Sequence, residues 1–136
     1  MSKRVVNFLM GILSLFLGFA LYLLFRENTY ISRLFAQVST LKTLRSMFVI
    51  FSCDFLMYYL PDFLWGFSLS CLLQAFCVYS FKGTVLCCCI TAIYGCVWEL
   101  LQWLSILGGT GDYLDIIMYL LASILCLIIN LKERKV

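Results

Sequence analysis

Trp98-Glu99-Leu100-Leu101-Gln102, followed by Gly108-Gly109-Thr110-Gly111-Asp112-Tyr113-Leu114-Asp115, is the stretch that decides how this chain folds. It reads as the end of one apolar helix, a glycine-rich loop and the start of the next. Glu99 and Gln102 stand three apart and share a helix face, as do Asp112 and Asp115 if the second helix starts early. A charged side chain at the centre of a membrane helix costs about 2.5–3.5 kcal/mol on insertion scales. Each such residue therefore needs a partner, a water-filled site or an interfacial position. Two more belong with them: Asp62 in Leu60-Pro61-Asp62, and Arg26 at the end of the first apolar run.

Working outward, the surroundings of these residues are hydrocarbon-like. Of 136 residues 64% are hydrophobic and 12% charged, and mean hydropathy is +1.03. Soluble domains carry about 25% charged residues. The chain is expected to be a single all-α transmembrane domain spanning residues 1–136, a polytopic helical bundle. The net charge of +3 is no nucleic-acid signal, because Lys3, Arg4, Arg26, Lys42, Arg45, Lys132, Arg134 and Lys135 sit at the ends of apolar runs. There they anchor and orient helices.

Four spans are legible, at about 5–25, 63–81, 85–107 and 114–131, each near the roughly 20 residues a crossing needs. The first is read as a retained anchor, since its apolar core is too long for a signal peptide and no small-x-small site follows. Residues 26–46 carry Arg26, Arg33, Lys42 and Arg45 against Ile31, Leu34, Phe35 and Val38 at helical spacing, which favours a surface helix. The short apolar segment 47–60 reads as re-entrant or interfacial, or as a fifth span. Pro61 breaks or starts a helix, Asp62 can cap its first turn, and Lys82-Gly83 makes a tight turn.

With four spans and a cytoplasmic N-terminus, six basic residues lie inside and four outside. With five spans and an external N-terminus the count is eight to two. The positive-inside rule favours five; the length of the extra segment favours four. Either way the C-terminus is cytoplasmic and Asp62, Glu99, Gln102, Asp112 and Asp115 share the outer face. Arg26 joins them only with four spans. Glu99, eight residues before the expected end of its helix, lies about 12 Å deep, and Arg26 is the best-placed partner. That pairing tips the balance to four spans plus a re-entrant or interfacial segment.

The chain holds eight cysteines and no histidine. Cys87, Cys88 and Cys89 point about 100° apart on a helix and cannot share a metal, so the cysteines read as small packing residues. No P-loop, dinucleotide fingerprint or HExxH motif occurs. No cofactor and no metal site are expected; without histidine, a metal would have to be a hard cation on carboxylates. The acidic residues read as a polar pocket for a cationic head group, an ion or a proton, or as interhelical polar glue with helix caps. Trp65, Trp98, Trp103, Tyr58, Tyr59 and Tyr113 read as an interfacial belt, with a cradle for a choline-like cation as the sharper alternative. A serine nucleophile has no His or Lys base beside it.

Arg26, Leu60-Pro61-Asp62-Phe63-Leu64-Trp65, Glu99-Leu100-Leu101-Gln102 and Gly109-Thr110-Gly111-Asp112-Tyr113-Leu114-Asp115 together resemble the bacterial VanZ-like membrane proteins. That family's hallmark is an E-x-x-Q pair closing one helix and a D-x-x-D pair opening the next, and the likeness covers nearly the whole chain. The Pro-Asp-x-x-Trp element departs from the family's Pro-x-Gly pattern, implying a divergent branch. The resemblance implies a bacterial plasma-membrane protein of a family in which some members are linked to low-level resistance to glycopeptides such as teicoplanin. The expected partners are the bilayer, an envelope lipid, precursor or glycopeptide, and a membrane-protein partner, with no nucleic acid. A non-enzymatic role is favoured. The alternatives are a small membrane enzyme or ion- or proton-coupled carrier on the same carboxylates, and an accessory subunit of a larger complex.

Overall fold

Helices account for all the regular structure among the described residues, with no strand. A computed structural model describes residues 2–25, 43, 57–77 and 80–132. The helices are α1 (Lys3–Phe25), α2 (Leu60–Phe76), α3 (Phe81–Trp103) and α4 (Tyr113–Lys132). Arg26, the amphipathic stretch 26–46 except Thr43, and all of the short apolar segment before residue 57 lie outside the described residues.

α1, α3 and α4 are long and apolar enough to cross a bilayer. The 23 residues of α1 and of α3 reach about 35 Å at 1.5 Å per residue. Leu13, Phe16, Ile93, Ile124 and Ile128 turn outward and are exposed, as befits helices whose surrounding solvent is lipid. The chain is a membrane protein. α2 has 17 residues, about 25 Å, and falls short of the same measure.

Four helix boundaries differ from the sequence expectation by three residues or more, each for a local reason. α2 ends at Phe76 rather than near 81, where the Cys77 amide donates to Leu73 O. α2 starts at Leu60 because Pro61 occupies the first turn, where a missing N–H costs nothing. Asp62 therefore lies inside the first turn, favourably placed toward the helix dipole. The N-cap is Tyr59, without a side-chain cap bond. α3 starts at Phe81, since the Ser80 side chain accepts from the Gly83 amide at 2.9 Å. Lys82 and Gly83 are thus its first turn rather than a turn between helices. α3 ends at Trp103, short of Leu107. Ser105 adopts φ 55°, and the amides of Ile106 and Leu107 donate back to Leu101 O at 2.9 and 3.2 Å, satisfying a terminal carbonyl. Glu99 is consequently about 6 Å from its helix end, half the depth expected.

α2 is the central helix and packs against the other three. α1 buries Asn7, Gly11, Ser14 and Gly18; Ser68 Oγ donates to Gly11 O at 2.8 Å. A Cβ on Gly11 would meet Leu72 at 2.8 Å, and one on Gly18 would meet the Trp65 ring at 2.7 Å. As α1 advances from 11 to 18 its partners on α2 recede from 72 to 65, so the two helices are antiparallel. α4 inserts Tyr119 between Gly66 of α2 and Gly95 of α3: added Cβ atoms would come within 2.9 Å of its ring and 2.6 Å of its Cβ respectively.

Several buried polar side chains find partners inside the bundle, as a low-dielectric medium demands. Asn7 Nδ2 donates to Asn130 Oδ1 at 2.9 Å, joining α1 to α4. Ser70 Oγ donates to Thr91 Oγ1 at 2.9 Å, joining α2 to α3. Gln74 Nε2 donates to Cys126 Sγ at 3.3 Å, beside a core of Phe67, Cys71, Ala122 and Cys126. Cys71, Cys77, Cys87, Cys88, Cys89, Cys96 and Cys126 are free thiols.

The glycine notches yield the first prediction. Gly95→Ala overpacks against Tyr119 and should lower stability by about 1–3 kcal/mol. Gly108→Ala, whose Cβ meets nothing within 4 Å, should leave it unchanged. Thermal unfolding in detergent, followed by fluorescence-detected size exclusion, compares the two; equal melting temperatures would refute the notch.

Candidate functional site

Helical periodicity explains how the acidic residues come together. Side chains four apart lie on one face, one turn from each other. Asp62 is one turn from Gly66, Glu99 one turn from Gly95, and Asp115 one turn from Tyr119. Locking Tyr119 into the two glycine notches therefore stacks the three carboxylates at the same end of the bundle. The Tyr119 phenol is within electrostatic reach of Asp62, Glu99 and Asp115. All three carboxylates are buried, Glu99 to 1% exposure.

Glu99 and Gln102 clamp the glycine loop. Glu99 Oε2 accepts from the Asp112 amide at 2.9 Å. The Gln102 amide is oriented by its partners: its nitrogen donates to Glu99 Oε2 and to Thr110 O, both at 3.2 Å, and its oxygen accepts from Trp98 Nε1 at 3.1 Å. The side chain occupies the place a Cβ on Gly109 would need, 2.8 Å away, and Gly109 has φ 129°. Only glycine suits both constraints. Trp103 fills the equivalent space at Gly111.

Asp112 does two things at once. Oδ1 accepts from the Leu114 amide at 2.9 Å, an N-cap bond for α4. Oδ2 accepts from Tyr59 OH at 3.3 Å. With Tyr58, Thr110 and Asp115, these residues line a polar cleft of about 120 Å³, enough for a few waters or a small cationic group. Partial burial of Tyr59, then the Asp112 charge and hydrogen bond, then Asp115, hold its phenol above the ordinary tyrosine range. The phenol is thereby kept as a neutral donor.

Of the residues expected from sequence, Asp62, Glu99, Gln102, Asp112 and Asp115 gather at one end, while Arg26 lies outside the described residues. Four of them form a holding pair, Glu99 and Gln102, and a presenting pair, Asp112 and Asp115. Asp62 lies buried in the first turn of α2 and does not line the cleft. Sequence reasoning missed the hydrogen bonds made by Tyr59 and Trp98, read as belt aromatics or a cradle for a choline-like cation. It gave Thr110 no role of its own and passed over Tyr119. The available signal was the four-residue spacing of Gly66 and Gly95 from carboxylates. Among the described residues, no group of three or more His, Cys, Asp or Glu is arranged to hold a metal ion. The cleft is rich in acceptors, suited to ammonium, guanidinium or hydroxyl donors. No protein-family model, curated protein or solved structure matches the chain.

The Tyr59–Asp112 contact makes the next prediction. In a spectrophotometric titration, the Tyr59 contribution, isolated by difference against Tyr59→Phe, should ionise above free tyrosine. Asp112→Asn should move it back down. The stabilisation tied to this group is complete below the unfolded tyrosine pKa and is lost as pH rises through the folded one. A Tyr59 titration unmoved by Asp112→Asn would rule the contact out.

Proposed function

We propose that this chain is a multi-pass bacterial plasma-membrane protein of VanZ-like type. Its acidic cleft engages the head group of an envelope lipid, lipid-linked wall precursor or glycopeptide antibiotic at the outer leaflet. The observation that carries the reading is the hydrogen bond from the Asp112 amide to Glu99. It joins the E-x-x-Q and D-x-x-D pairs into one unit and leaves Asp112 and Asp115 to line the cleft. The role is binding rather than catalysis, because a Glu99 oxygen is engaged by the loop amide and by Gln102. A base in an enzyme or proton-coupled carrier has to exchange its proton instead.

The topology in this reading is four spans with a re-entrant or interfacial segment before α2, and both termini in the cytoplasm. Antiparallel packing of α1 on α2 supports it, since the end of α1 and the start of α2 then face the same side. A fifth crossing between them would require opposite sides. α2, at about 25 Å, crosses with modest local thinning of the bilayer.

Two experiments test these proposals. In a background without native cysteines, probes at Glu27 and Gly108 should label from one side of the membrane and a probe at Lys82 from the other. Labelling of Glu27 together with Lys82 would establish five spans. Expression in a glycopeptide-susceptible host should raise the inhibitory concentration of teicoplanin several-fold over vector. Asp115→Asn should abolish the increase at equal membrane abundance, whereas wild-type expression at the vector level would sink the envelope role.

A further inference from the structure

A second cavity lies beside the acidic cleft and differs from it in every chemical respect. α1 and α3 both pack on α2, which floors a groove of about 500 Å³ between them. Leu15 forms part of one wall, Ile90 and Tyr94 part of the other, and Leu69, Leu72 and Leu73 part of the floor. The groove's one hydroxyl outside the aromatic rings, Ser68, already donates to Gly11 O, so it asks nothing of an occupant. Along α2 the lining runs from Trp65 to Leu73, and along α3 from Ile90 to Trp98, about 12 Å in each case.

These dimensions select the occupant. A helix from a second copy is about 10–12 Å across. A single hydrocarbon chain needs far less width, and the volume falls within the range of about 300–1,000 Å³ typical of small-molecule sites. Lipid is the medium around the outward residues of α1 and α3, including Phe16 and Ile93.

The upper end of the groove is also the back of the acidic site. Trp98 lines the groove and donates its indole N–H to Gln102 of the loop clamp. Tyr119 lines the groove and lies within electrostatic reach of Asp62, Glu99 and Asp115. A chain seated below these two rings directs its head group toward carboxylates, which favour an ammonium and repel an anion. We infer that the groove between α1 and α3 holds one acyl chain of an amine-bearing glycerophospholipid, with its head group at the acidic cleft. The head-group half rests on the cleft reading proposed above; the chain half stands on the groove alone.

The test uses the full chain in nanodiscs doped with phosphatidylethanolamine or phosphatidylglycerol carrying a diazirine near the acyl terminus, with adducts mapped by mass spectrometry. Adducts should concentrate on Leu69, Leu72, Leu73 and Ile90 rather than on outward residues such as Phe16 and Ile128. Ile90→Trp, and separately Leu73→Trp, should reduce the groove adducts several-fold while those on Ile128 persist and the melting temperature holds. Phosphatidylethanolamine should label the groove several-fold more than phosphatidylglycerol, and Asp115→Asn should remove that preference. Even labelling of all outward faces, groove adducts unmoved in two folded tryptophan variants, or groove residues linked to a second copy would overturn the chain site. Groove labelling that ignores the head group would overturn the head-group half and the cleft reading with it, leaving the chain site in place.

Discussion

Tyr119 is held between two glycines, and most of what is distinctive about this bundle follows from that one contact. Gly66 and Gly95 present bare backbone to the ring, so α2, α3 and α4 approach more closely than side chains would allow. Close approach fixes rotation and height together. Because Asp62, Glu99 and Asp115 each sit one turn from the contact, fixing it also places three carboxylates at one end. The apolar packing and the acidic site are consequences of the same geometry.

Glu99 and Asp112 are tolerated in an apolar chain because polar groups around them replace part of their lost solvation. A buried carboxylate loses solvation that only hydrogen bonds or countercharge can replace. Glu99 receives a loop amide and the Gln102 side chain, and Asp112 receives a helix amide and a phenol. Those same bonds shape the glycine loop, and Asp112 both caps α4 and faces the cleft. Glu99 and Gln102 hold the loop, leaving Asp112, Asp115 and Tyr59 toward the cleft.

The elements of the fold were readable because membrane spans announce themselves by length and hydropathy, and three of the four helices meet that measure. Their ends were less readable. α3 stops at Trp103 because Ser105 takes a left-handed conformation and loop amides fold back on Leu101, which hydropathy does not register. α3 starts at Phe81 because a serine hydroxyl happens to reach Gly83. The gathering of Asp62, Glu99, Gln102, Asp112 and Asp115 followed from counting helices. Which of them hold and which present did not, because that depends on hydrogen bonds between residues up to 53 positions apart.

By itself the sequence determined a membrane protein of apolar helices with acidic residues collected at one end. Apolar length and the cost of charge in lipid leave few other arrangements. Only the tertiary structure decided how deep Glu99 lies, that a loop amide and Gln102 are among its partners, and that Tyr119 and Trp98 link the acidic end to an apolar groove. These are matters of close packing between helices. A glycine's missing side chain becomes a notch only when a neighbour of the right shape is set against it.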